Sequence, residues 1–185
     1  MVIVGSARSN EYGGISGGKA GDQTGHEVET QEWYLHSKGW RVFRCKDSHK
    51  RELIADNMKK ACANPHIGYD QDENYTLWDV AKHCNFDCGL VDINCETDCA
   101  RLVRVCVKYS GIDVADFYTG SEAYELLETG MFDEYPMAAN NPDLLLRGDI
   151  LVTKTKGHTV IVVEQTKQWR PEPVLPDFDG VYVEV

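Results

Sequence analysis

The sequence predicts an α+β domain in which an antiparallel sheet packs against helices. Three observations carry this. Apolar residues recur at helical spacing through much of the middle of the chain. The last third changes to β-branched runs, "GDILV" and "HTVIVVEQ". The turn-rich "TKTKG" between those runs suits an antiparallel hairpin. Helices followed by paired strands is the order of an α+β domain, not of an alternating parallel one.

At 185 residues the chain is close to the usual size of one domain, so residues 1–185 are expected to form a single unit with one core. With 30 acidic against 19 basic residues the net charge is -11, which excludes a general affinity for nucleic acid or for anionic membrane surfaces. No apolar run approaches the roughly 20 residues of a membrane span, so no membrane insertion is expected. The start "MVIVGSARSNEYGG" is too short in its apolar part for a signal peptide. The expectation is a soluble monomer made in the cytoplasm. Seven cysteines, an odd number with no secretion signal, are expected to be free thiols.

The elements follow in order. Residues 1–26 hold seven glycines among Ser, Asn and Asp and read as a glycine-rich loop. Lys19, Asp22, Gln23 and Glu27 give that loop a specific polar character, so it is expected to be ordered. "HEVETQEWYL" and "WRVFRCKD", separated by "HSKG", predict a β-hairpin or two short strands. In "DSHKRELIADNMKKACAN", Leu53, Ile54, Asn57, Met58, Ala61 and Cys62 mark an amphipathic helix that Ser48 can cap and "NPHIG" stops. A second helix covers "ENYTLWDVAKHCN", with Leu77, Val80 and Ala81 on one face. "SEAYELLETGMF" is a short helix ended by Gly130. "VYVEV", beyond a proline-rich stretch, is a last strand candidate.

The chemistry concentrates in "TDCARLVRVCV". Thr97 or Asp98 can cap a helix whose Cys99, Leu102, Val103 and Cys106 fall at i, i+3, i+4 and i+7. Cys99 then sits in the first turn, where unpaired N–H groups and the helix dipole lower a thiol pKa and can hold an oxyanion. A lone cysteine on a helix stripe is ordinarily core, so Cys99 needs a partner. His158 in "KGHTVIVV" is the histidine of the strand-rich third. Alternation puts His158, Val160, Val162 and Glu164 on one strand face, the face expected to lie under the helix. Cys99 and His158 would then form the thiol and imidazole pair of a cysteine hydrolase. Two other readings stay open. Cys84, Cys88, Cys95 and Cys99 form a C-x3-C-x6-C-x3-C series that could hold zinc in a non-catalytic interaction protein. A disulfide among Cys84, Cys88 and Cys95 would require an oxidising medium.

Asp98-Cys99 opening a helix, "RGDILV" and "GHTVIVV" together resemble the NlpC/P60 group of papain-like peptidoglycan hydrolases, related to the CHAP amidases. The whole chain, "GGKAGDQTGHEV" included, is similar to cell-wall hydrolases of phages and prophages of Gram-positive bacteria. The resemblance implies a papain-like fold, Cys99 as nucleophile on a helix N-terminus and His158 as base, with residues 97–185 supplying helix and catalytic sheet. It implies bacterial peptidoglycan as partner, no cofactor or metal, and action on the wall after release from the cytoplasm. The bond cut would be D-glutamyl to diamino acid, or muramoyl to L-alanine in an amidase. The same pair also serves cysteine amidases and acyltransferases acting on proteins or lipids.

Tyr69, in "GYDQ", is implied as a contact for substrate or thiolate. Asp98, Asp22 and Gln23 are expected to line the substrate groove, with Lys19 and Arg101 facing stem-peptide carboxylates. Ala100 and Arg101 depart from the family's usual Ser-Gly. The third residue, which should orient His158, is expected to be Glu184, or Tyr182 on the same strand, with Asp22, Gln23 or Glu27 as alternatives. A solvated chain end is the plain reading of Glu184. Glu164, six residues along the strand, is roughly 20 Å away and cannot serve.

Overall fold

The computed structural model describes residues 1–9, 13–15 and 27–166. Its strands are β1 (Val2–Ala7), β2 (Val28–Glu32), β3 (Trp40–Cys45), β4 (Ile67–Tyr69), β5 (Cys95–Thr97), β6 (Phe132–Glu134), β7 (Ile150–Thr153) and β8 (Thr159–Gln165). Its helices are α1 (Ser48–Ala63), α2 (Thr76–Ala81), α3 (Cys99–Tyr109) and α4 (Glu122–Glu128). Six strands form one antiparallel sheet in the order β2-β1-β8-β7-β3-β6, and β4 and β5 form a small parallel pair. An antiparallel sheet packed against helices is the α+β class that the sequence predicts.

Periodicity places the helices correctly. In α3, Leu102, Val103 and Cys106 are fully buried, and in α1 Ile54, Met58 and Ala61 are too. At roughly 1.5–3 kcal/mol for each large apolar side chain removed from water, these stripes fix both helices on the sheet. They meet Phe43, Ile150, Val152, Ile161 and Val163. The opposite sheet face carries a second apolar cluster, in which Val2, Val4, Trp40, Val42, Leu151, Val160 and Val162 pack with Ala138, Ala139 and Leu145.

Four details depart from the sequence reading. Val2–Ala7, read as the start of a glycine loop, form the strand between β2 and β8. Gly5 belongs there because a Cβ would stand 2.7 Å from Met58 Cγ, so the glycine marks the close approach of α1 and not a turn. The cap of α1 is Asp47, whose carboxylate accepts from the His49 and Lys50 N–H groups, one residue before the expected Ser48. β2 and β3 do not form a hairpin. β2 is the sheet edge, and residues 33–39 cross to β3, on the far side of β1, β8 and β7. That is four strand spacings of about 4.8 Å, or roughly 19 Å, which seven extended residues can span.

The fourth correction concerns β8. Its alternation is as expected, but α1 and α3 cover the Thr159, Ile161 and Val163 face, while Val160 and Val162 point into the second cluster. Parity along a strand separates two faces without saying which one a helix will cover. "VYVEV" lies outside the described residues.

Candidate active site

Strand β5 runs into Asp98, which has extended backbone (φ -99°, ψ 177°) and caps α3: its carboxylate accepts the Arg101 N–H at 2.7 Å. The other carboxylate oxygen accepts from Asn74 Nδ2 at 2.9 Å and from Arg101 Nη1 at 3.2 Å. Cys99 follows as the first residue of α3, 7% exposed. Its thiol lies by the Ala100 and Thr159 backbone N–H groups, both of which act to lower its pKa. The Thr159 N–H sets the start of β8, one residue from His158, against the start of α3. The β4–β5 pair sets Tyr69 opposite Thr97, so Tyr69 is buried behind the thiol, with its phenol hydrogen-bonded to Gln71. Its N–H donates to the buried Glu27 at 2.9 Å.

His158 stands just before β8, where the ladder loosens. Its carbonyl accepts the Thr153 N–H at 3.0 Å, while its own N–H donates to the Thr153 hydroxyl. The residue is therefore not bound by the pleat alternation that governs Val160 and Val162. In the connection 33–39, Tyr34 and His36 pack edge-on against Trp40 at centroid separations of 5.7 and 5.2 Å and lie 6.1 Å from each other. His36 and Arg8 both act electrostatically on His158, and Tyr34 on Cys99. Neither Tyr34 nor His36 was legible as a site residue, because "HSKG" reads locally as a turn.

The electrostatics reverse one expectation. The helix N-terminus is expected to lower the Cys99 pKa, yet burial pushes the thiol up, reinforced by the charge of Asp98 and, only where it is ionised, of Glu122, and the Thr159 and Ala100 N–H groups only partly offset this. Burial, then His36 and Arg8, push His158 down to about 4. At rest both groups are thus neutral, a thiol at the start of α3 and an imidazole just before β8. Burial raises the Asp98 carboxyl as well, against the bonds from Arg101.

Cys99 and Asp98 open onto a cavity of about 350 Å³ whose walls include Gln71, Arg101, Tyr118 and Lys156. The Arg101 guanidinium, expected to meet substrate carboxylates, is already held by Asp98 and by Asp116 at 3.6 Å, donates to the Tyr75 hydroxyl at 2.6 Å and stacks on its ring. Lys156 is the other cation on the wall.

Glu184, Tyr182, Asp22, Gln23 and Lys19 lie outside the described residues. Glu164 forms an ion pair with Lys59 at 2.7 Å, far from the thiol. The cysteine series does not converge: among the described residues no three His, Cys, Asp or Glu side chains form a group able to hold a metal, and all seven cysteines are free. Cys88 contacts Cys106 in the core, while Cys99 faces the cavity.

Fold and site together define an α+β domain with a helix-terminal thiol opening onto a polar cavity. The family model of the endolysin-like domain matches residues 4–169, and the chain belongs to that family. Membership makes it an endolysin-type protein, pointing to a hydrolytic enzyme with a cell-wall lytic function. No curated protein and no solved structure matches the chain.

Proposed function

We propose that the chain is a papain-like, NlpC/P60-type peptidoglycan hydrolase, a single catalytic domain that cuts an amide bond of the stem peptide by a Cys99–His158 mechanism. The observation that carries this is the Cys99 thiol at the start of α3, open to the cavity and set by the N–H of the residue after His158. Family membership supplies the wall as the place of action.

The neutral pair sets the mechanism. His158 takes the thiol proton as Cys99 Sγ attacks the amide carbonyl carbon, and the Cys99 backbone N–H, the first-turn donor of α3 not already given to Asp98 or the thiol, holds the developing oxyanion. The C–N bond breaks as His158 returns the proton to the leaving amine. Water, activated by the same imidazole, then hydrolyses the thioester. Lys156 offers a charge for a stem-peptide carboxylate, a role that Arg101 shares only through the face left open by its two acids. Tyr69 supports the thiol from behind. The bond is the D-glutamyl to diamino acid link, with the muramoyl to L-alanine link of an amidase as the second reading. The protein is made in the cytoplasm and meets the wall as a monomer after release.

Digestion of Gram-positive sacculi by the wild type and by Cys99→Ala, with mass analysis of the released fragments, tests the proposal and names the bond. Fragments from the wild type alone are expected. Equal release by both proteins, or release by neither, would reject it.

A further inference from the structure

A buried acid behind the thiol has no part in the mechanism above. Glu122 opens α4, is fully buried, and has its Oε1 2.7 Å from the Thr159 hydroxyl. That hydroxyl also lies 3.0 Å from the Leu151 carbonyl oxygen. A hydroxyl has one proton and a carbonyl oxygen can only accept. Both contacts are hydrogen bonds when the Thr159 proton lies on Leu151 and Glu122 supplies the proton on its own side. The second carboxyl oxygen of Glu122 is buried with no hydrogen-bond partner among the described residues. A bare carboxylate oxygen there would lose its hydration for nothing, whereas a neutral carboxyl avoids most of that cost.

Thr159 joins this acid to the site. Its side chain meets Glu122, its backbone N–H meets the Cys99 thiol, and His158 precedes it in the chain. We propose that Glu122, as a neutral carboxylic acid donating to Thr159 Oγ1, is the positioning residue that holds the 158–159 backbone against Cys99 without placing a charge beside the thiol. This rests on the Cys99–His158 reading.

Among the described residues, the titratable groups around Glu122 are Asp98 and Cys99 at the start of α3, His158 before Thr159 at the head of β8, and Glu125 on α4 itself. Burial, with Asp98 adding to it, raises the Glu122 pKa to about 8, so the acid is mostly neutral at pH 7. Above that pH the carboxylate can only accept, so the Thr159 proton must turn from Leu151 to Glu122, and a second negative charge is set next to Asp98, opposing formation of the thiolate.

Two readouts on the full chain test this: pH profiles of kcat and KM on sacculi, and pH profiles of Cys99 alkylation by iodoacetamide, for wild type, Glu122→Gln and Glu122→Ala. The wild-type kcat is expected to fall above about pH 8, and Glu122→Ala to lose on the order of tenfold to a hundredfold in kcat at pH 7 with little change in KM. Glu122→Gln, which keeps a neutral donor to Thr159, is expected to restore most of that loss and to lack the alkaline fall. Cys99 alkylation above pH 8 is expected to be faster in Glu122→Gln than in the wild type. An alkaline fall shared by Glu122→Gln, a Gln variant no better than Ala at pH 7, or identical alkylation profiles would overturn the proposal. If the hydrolase reading itself fails, no sacculus is cut by any form, and the alkylation profiles, which need no substrate, still decide the role of Glu122.

Discussion

Two fully buried carboxyls flank the β7–β8 hairpin, and they are held in opposite ways. Asp149, in the "RGDILV" turn, accepts from Arg44 Nε at 2.7 Å and Nη2 at 2.6 Å and from the Leu146 N–H at 2.8 Å. Glu122 has one contact, to Thr159, and a second oxygen with no hydrogen-bond partner among the described residues. The first is a finished ion pair that ties β3 to the entry of β7. The second is an acid with no cation, beside the thiol. The Gly-Asp half of the motif thus builds the hairpin, whereas the acid that stands by the thiol comes from another element, α4. Perturbed, incompletely satisfied acids cluster where function is.

The largest expected effect breaks the finished pair. Asp149→Ala leaves the Arg44 guanidinium, 14% exposed, without its acid and is expected to cost about 3–5 kcal/mol in urea denaturation. Next is the glycine before it: Gly148 has φ +84°, and a Cβ would lie 2.2 Å from the Arg51 carbonyl oxygen. Gly148→Ala is expected to cost roughly 1–3 kcal/mol from backbone strain alone, with the clash adding to it, read in the same assay.

Glu122 sharpens the contrast through pH. Its folded pKa is raised from 4.5 to about 8, so the stability it contributes is whole below pH 4.5 and drains away as pH rises through 8. The wild-type Tm should therefore fall between pH 5 and 9 relative to that of Glu122→Gln; parallel Tm curves would contradict a neutral acid. His158 has the opposite sign. With its pKa lowered from 6.5 to about 4, its contribution is present above pH 6.5 and is lost as pH falls through 4. The base role proposed for His158 follows the same limb, so hydrolysis should persist at pH 5 and fail near 4. An acid limb centred on 6.5 would show a solvated imidazole. The smallest effect is at the sheet surface, where Lys59 and Glu164 are 45% and 51% exposed: Lys59→Ala should cost less than about 1 kcal/mol.

What was legible in the sequence was what is local. The stripes of α1 and α3, the Asp98 cap, the Gly130 stop and the β7–β8 hairpin all follow from periodicity and turn chemistry within one segment. The rest depends on what packs from elsewhere. Gly5 and Ser6 look like loop residues until α1 is laid across them, and "HSKG" looks like a hairpin turn until the strands on either side find other partners. In the site, Cys99 and Asp98 were legible because a helix start announces itself. The direction of the thiol's pKa was not, since it depends on burial and on the charge of Asp98. An acid in the first turn of "SEAYELLE" is ordinary helix chemistry, and only the fold puts it against Thr159.

The central claim is that Cys99 carries the acyl group of the wall. It is tested most directly by acid-quenching the protein during turnover of a stem peptide and mapping the modified peptide by mass. The account predicts a thioester on Cys99 in the wild type and neither adduct nor turnover in Cys99→Ala; turnover by Cys99→Ala, or an adduct elsewhere, would contradict it.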